Sequence, residues 1–182
     1  MRVFVCLFLL SALGCGLAEG RVVSKCELRQ LFKELPVGSW PKGQEMTDNL
    51  LAKILCHVEK ASGFNTSSVN LLTPSRKHQS SSEEEEEEEE WTLYGLFQLS
   101  DHLVCSSGAT LSPNRICEVF CSDLLDDDIQ DDISCVLKLI GKLLENGSRW
   151  RRKGEFMRMV KLLFQPDCNH PNPDYFNECQ VA

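Results

Sequence analysis

The chain has 182 residues, a formal net charge of −8 and ten cysteines. Eight of its 27 acidic residues form one uninterrupted run, Glu83 to Glu90, so the other 19 balance the 19 lysines and arginines. A body this close to neutral lacks the net basic face that phosphates require, which excludes nucleic acid as a partner.

In chain order, the first twenty residues read as an export leader. Arg2 supplies the positive end, Val3 to Leu13 the apolar run, and Gly14, Gly16, Ala18 and Gly20 the small residues that suit cleavage after Gly20. The run is shorter than the roughly twenty residues a bilayer needs, and no second apolar span follows, so no transmembrane segment is expected. Residues 21–182 are then one exported, extracellular domain, expected to be a monomer. Cys6 and Cys15 leave with the leader, and Cys26, Cys56, Cys105, Cys117, Cys121, Cys135, Cys168 and Cys179 remain. An even count in an exported chain reads as four disulfides. Thiolate metal sites are disfavoured: there is no CxxC pair, and His57, His102 and His170 stand singly near cysteines.

Leu28, Leu31, Phe32 and Leu35 have the spacing of an amphipathic helix, broken by Pro36, Gly38, Pro41 and Gly43. A second helix starts at Thr47 or Asp48, buries Leu50, Leu51, Ile54, Leu55 and Val58, and stops at Ser62-Gly63. The strand-like stretches are Phe64 to Leu72 and Trp91 to Leu99. Between them, residues 73–90 form an acidic loop insertion expected to be disordered, because like charges repel and nothing apolar is there to bury. It reads as a solvated spacer or as a tail for cations or a basic partner. A third helix runs from about Ile129 through Ile140. Residues 149–164 then interleave Arg149, Arg151, Arg152, Lys153, Arg158 and Lys161 with Trp150, Phe156, Met157, Met159 and Leu162 to Phe164. Such a helix either packs its apolar face into a core or lies on an anionic membrane surface. Asn65 and Asn146 open glycosylation sequons, meaningful in an exported chain.

Asp126-Asp127-Asp128-Ile129-Gln130-Asp131-Asp132 places five carboxylates in seven residues. One or two would suit a helix N-terminus. Five repel one another unless a cation joins them, and Ca²⁺ is the hard cation that takes six to eight oxygens from such a loop. The run is not an EF-hand, since the central Gly and terminal Glu are missing.

Several segments together resemble the lysozyme C and α-lactalbumin family. They are Arg21 to Leu28, Ser62-Gly63-Phe64-Asn65-Thr66, Tyr94 to Leu99, the spacing of Cys105, Cys117, Cys121 and Cys135, and Leu125 to Asp132. Eight cysteines alone permit 105 pairings. The resemblance implies Cys26–Cys179, Cys56–Cys168, Cys105–Cys121 and Cys117–Cys135. It also implies an α+β lysozyme-like fold, a mainly helical lobe facing a small antiparallel sheet across a cleft. Calcium would be held by the side chains of Asp126, Asp131 and Asp132 and the backbone oxygens of Asp123 and Asp128.

The resemblance also locates what is missing. Glycoside hydrolysis of this kind needs a carboxylic acid with a raised pKa and a second, ionised carboxylate. The family acid precedes the Ser-Gly-Phe-Asn-Thr segment, and that position is Ala61; the family aspartate precedes Tyr-Gly, and that position is Leu93. Glu59 lies two residues, about 200°, from Ala61 on the same helix, so it should face away. Leu103 and Val104 stand where lysozymes carry sugar-stacking aromatics. The pairs that α-lactalbumin uses towards its galactosyltransferase correspond to Glu59-Lys60 and Phe176-Asn177, so that partner is not implied. The expectation is a catalytically inactive, calcium-binding, secreted protein acting on a protein or glycan partner. The alternatives are a muramidase acting on bacterial peptidoglycan and a membrane-directed antimicrobial protein.

Overall fold

A computed structural model describes residues 20–36, 39, 46–73, 90–146 and 153–180. The leader, most of the Pro/Gly stretch after the first helix, the Glu run except Glu90, and Arg149 to Arg152 lie outside the described residues. Four helices surround the core: α1 (Lys25–Lys33), α2 (Asp48–Ser62), α3 (Ile129–Asn146) and α4 (Lys153–Leu163). Three short strands, β1 (Val69–Leu72), β2 (Trp91–Tyr94) and β3 (Leu99–Ser100), form an antiparallel sheet in that order.

The helix boundaries follow from their caps. Ser24 Oγ accepts from Glu27 N at the start of α1, and Thr47 Oγ1 accepts from Leu50 N at the start of α2. Each satisfies an N–H that the helix cannot pair internally. At the end of α2, Gly63 takes the left-handed conformation at φ 60° and its N–H reaches Glu59 O.

The strands are shorter than their sequence suggests. Pairing begins only at Val69, because Phe64 follows Gly63 with a second positive φ and residues 65–68 turn. The next stretch stops at Tyr94, where Gly95 and Gln98, both at positive φ, reverse the chain. Leu72 and Trp91 are partners across β1 and β2. The long acidic insertion therefore leaves and rejoins the sheet at neighbouring points, an arrangement whose closure entropy grows only slowly with loop length.

The described part of the basic segment is helical. α3 runs to Asn146 and α4 starts at Lys153. Phe156, Met159, Val160 and Leu163 of α4 are buried in the common core with Leu55 and Val58 of α2. Arg158 is committed as well, its guanidinium 4.5 Å from the Trp91 ring. The described part of the segment thus packs Phe156, Met159, Val160 and Leu163 into the core, while Met157, Leu162 and Phe164 stay partly exposed. No helix among the described residues is long and apolar enough to cross one.

Four disulfides join Cys26 to Cys179, Cys56 to Cys168, Cys105 to Cys121 and Cys117 to Cys135. The first two close loops of 153 and 112 residues, tying α1 and α2 to the C-terminal turns. The other two hold the irregular segment between the sheet and α3.

Candidate functional site

Two places carry the chemistry that the sequence points to. The first is the junction of α2 with the sheet. Ala61 lies on the last turn of α2, and its carbonyl accepts from Asn70 Nδ2 at 3.1 Å. Asn70 is the register partner of Leu93, so one residue connects both positions of interest. The Asn70 amide also donates to Gln98 Oε1 at 2.7 Å, while Gln98 Nε2 donates to the carbonyls of Gly95 and Ser68. This amide network, exposed at Asn70 and buried at Gln98, holds the helix end to the sheet without an ionisable group. Leu93 is 8% exposed and belongs to the core. Glu59 is engaged elsewhere: its Oε2 accepts from the Tyr175 hydroxyl at 3.0 Å. Burial, and then that carboxylate, push the Tyr175 phenol well above its ordinary value. Leu103 and Val104 are fully buried and present no stacking shelf.

The second place is the loop that leads into α3. A 3₁₀ turn, Asp123–Leu125, precedes it, and Ile129 begins the helix. Asp123 Oδ2 accepts from Phe120 N, Asp126 Oδ1 from Asp128 N, and Asp128 Oδ1 from Gln130 N. Asp131 Oδ1 accepts from Asp132 N. Cys121 and Cys135, each in its own disulfide, bracket the loop.

Asp132 differs from its neighbours. It is 1% exposed, and its Oδ1 is buried with no hydrogen-bond partner. Burial first, and then the charges of Asp131, Asp126 and Asp128, push its carboxyl up to about 9. Burial likewise raises Asp131, with Asp126 and Asp128 adding to the effect. Asp127 turns the other way, accepting from Thr66 Oγ1 at 3.2 Å, with Arg21 Nε at 3.9 Å. Among the described residues, no three His, Cys, Asp or Glu side chains already gather as a finished metal cluster. Asp126, Asp128 and Asp131 each commit one carboxylate oxygen to a backbone N–H and keep the other. A buried, unpaired oxygen among several like charges fits a divalent cation, which would supply the missing partner and relieve the repulsion.

Residues 21–155 match the model of the C-type lysozyme/alpha-lactalbumin family. This chain belongs to that family. Human alpha-lactalbumin is 32% identical over 140 residues, covering 77% of this chain and 81% of its own. Lysozyme c-1 of Anopheles gambiae is 31% identical over 147 residues, covering 78% and 81%. Sperm acrosome membrane-associated protein 3 of the mouse is 30% identical over 143 residues, which span 76% of this chain and 55% of that longer one. Among solved structures, a calcium-binding lysozyme from equine milk matches with a TM-score of 0.55 and 25% identity. That match covers 88% of this chain and all of the other.

Within this C-type lysozyme/alpha-lactalbumin chain, the fold brings Ala61 and Leu93 to one junction through Asn70. It sets Asp126, Asp128, Asp131 and Asp132 close enough for their charges to act on each other. Asn65 is partly buried, its Oδ1 accepting from Ser67 N and lying 3.0 Å from Ser67 Oγ. Asn146 ends α3. In the sequence His57 is only a single histidine near a cysteine, and Thr66 and Arg21 are only members of longer segments, with no individual role marked. His57 is buried, with Nε2 3.2 Å from Phe97 O and Nδ1 3.3 Å from Gln165 Nε2. Its position among the apolar residues of α2 was the available signal.

Proposed function

We propose that this protein is a secreted, calcium-stabilised, non-catalytic member of its family that acts by binding a protein or glycan partner. The observation that carries this reading is the pairing of Ala61 with Leu93 at the two positions where the family mechanism requires carboxylates. A methyl group and a buried isobutyl group neither donate a proton nor stabilise a developing positive charge. Glu59, the nearest carboxylate along α2, is held by Tyr175, so it is not poised as a replacement acid.

In the same reading the calcium ligands are the side chains of Asp126, Asp131 and Asp132 and the carbonyls of Asp123 and Asp128. The bound ion would supply positive charge to a loop that otherwise repels itself, and would pin the start of α3 against the disulfide-bonded segment. The orphaned Asp132 Oδ1 supports this assignment. Release after Gly20 and glycans on Asn65 and Asn146 belong to the same proposal.

The test is hydrolysis of bacterial peptidoglycan by the protein secreted from cultured cells, beside a lysozyme C control. Background activity, with a calcium-dependent rise in melting temperature, is the expected result. Peptidoglycan hydrolysis that persists after Glu59→Gln would overturn the non-catalytic reading and establish a muramidase with another acid. Hydrolysis abolished by Glu59→Gln would overturn it equally and assign the acid to Glu59.

A further inference from the structure

The aspartate that points away from the others is held by a built contact. Thr66 is 1% exposed, and its hydroxyl works in two directions, accepting from Arg21 N at 3.0 Å and reaching Asp127 Oδ1 at 3.2 Å. The Arg21 carbonyl in turn accepts from Thr66 N at 3.0 Å, and Val23 N donates to Phe64 O at 2.9 Å. The Arg21 guanidinium forks onto Glu27 of α1 at 2.7 and 3.1 Å and approaches Asp127. The start of the chain, the 64–66 turn and the acidic loop are therefore fastened at one point.

We infer that Thr66, anchored by Arg21, is a positioning residue for the calcium loop: it holds Asp127 outward so that Asp126 and Asp128 on either side face the ion. The inference rests on the calcium reading above. Asp127 is covalently between a side-chain ligand and a backbone ligand, so the direction it takes fixes the peptide planes of both neighbours. The ion pair contributes little to this. Arg21 and Asp127 are 41% and 53% exposed and 3.9 Å apart, a geometry that solvent screens heavily. The buried hydroxyl, which has no alternative partner in water, is the more specific restraint.

Two pairs of variants separate positioning from charge and from bulk stability, read by calcium titration and by melting with and without calcium. Thr66→Val keeps the shape and removes the hydroxyl, and Thr66→Ser restores it; Thr66 is the middle residue of its sequon, so both leave the sequon intact. Asp127→Asn removes the charge but keeps an acceptor, and Asp127→Ala removes both. The expected result is a calcium Kd raised about three- to tenfold in Thr66→Val, the range a single net hydrogen bond supports. Thr66→Ser should recover it, and Asp127→Ala should bind more weakly than Asp127→Asn. The rise in melting temperature on adding calcium should shrink in Thr66→Val. Equal melting losses with and without calcium at an unchanged Kd, or Asp127→Ala binding as well as Asp127→Asn, would show a merely structural contact and overturn the inference. Failure of the parent itself to take up calcium, with Asp132→Asn indistinguishable from it, overturns the calcium reading instead and this inference with it.

Discussion

The side-chain amide of Asn70 donates to the backbone carbonyl of Ala61 at 3.1 Å while its own backbone lies opposite Leu93. Ala61 and Leu93 are therefore mechanically joined through one residue, and neither carries a carboxylate. The hydrogen bonds at this junction run between amides and carbonyls.

That arrangement predicts that rebuilding the catalytic pair is unequal work. Ala61 is partly exposed at a helix end, so Ala61→Glu should change stability by less than about 1 kcal/mol. Leu93 is core, and Leu93→Asp exchanges buried apolar contact for a carboxyl without a partner, a loss of roughly 2–4 kcal/mol. Denaturant titration of the two single variants checks this. The double variant should remain at background against peptidoglycan, because buried Leu103 and Val104 leave no surface for sugar stacking.

Calcium removal supplies a second prediction. A ligand present at about 100 times its Kd stabilises the folded state by about 2.7 kcal/mol, which for a domain of this size is roughly 5–10 °C in melting temperature. Asp132→Asn should abolish that increment. It should not lower, and is expected to raise, the melting temperature of the chelated protein, since the amide fills the buried site without having to take up a proton on folding. The pH dependence follows the same group. Its folded value lies above the ordinary one, so its favourable contribution is complete below the unfolded value and is lost as pH rises towards about 9. Chelated parent protein should therefore lose stability between acidic and alkaline pH relative to Asp132→Asn. Differential scanning calorimetry in a chelating buffer reads both effects.

Much of this was legible in the sequence for identifiable reasons. Thr47 and Gly63 bound α2 because capping is a local property of a few residues. The aspartate run drew attention to the loop before α3, where Asp132 Oδ1 is buried without a hydrogen-bond partner. The strand ends were not legible: Phe64 and Gln98 take positive φ, which their side chains do not advertise. Nor was the bridging role of Asn70 and Gln98, because an amide network depends on partners 28 residues apart in the chain. The fate of the basic segment was undecidable from periodicity, since an apolar helix face looks the same towards a core or a bilayer. Burial of Phe156, Met159 and Leu163 places that face of α4 in the core.

Gly95 offers a sharper test of the contact between sheet and loop. It sits at φ 72°, and an added Cβ would fall on the Leu124 carbonyl oxygen with Asp132 Oδ1 3.3 Å away. Gly95→Ala combines left-handed strain with a backbone collision, for a loss of roughly 2–4 kcal/mol. Gly63→Ala is the control: its φ is 60°, but nothing lies within 4 Å of the new Cβ. It should cost only about 1 kcal/mol, from conformation alone. Equal losses in the two variants would show that the Leu124 contact is unimportant. A larger loss at Gly95 confined to the calcium-loaded protein would place the damage in the loop itself.

The last prediction concerns His57, which reads as neutral from its surroundings. Burial holds its pKa below the ordinary 6.5, opposed in part by the Phe97 carbonyl. That carbonyl, 3.2 Å from Nε2, places the single proton there and leaves Nδ1 to accept from Gln165 Nε2 at 3.3 Å. Protonation would give Nδ1 a hydrogen facing an amide donor, beside the Cys56–Cys168 bridge that ties α2 to the C-terminal turns. For a base whose folded value is depressed, the stabilising contribution is present above the unfolded value and is lost as pH falls through the folded one. Going from pH 7.5 to 5, the parent should therefore lose more melting temperature than His57→Gln, which keeps a donor for Phe97 without a titrating ring. Identical losses would mean that acid acts on the carboxylates alone and that His57 is a passive core residue.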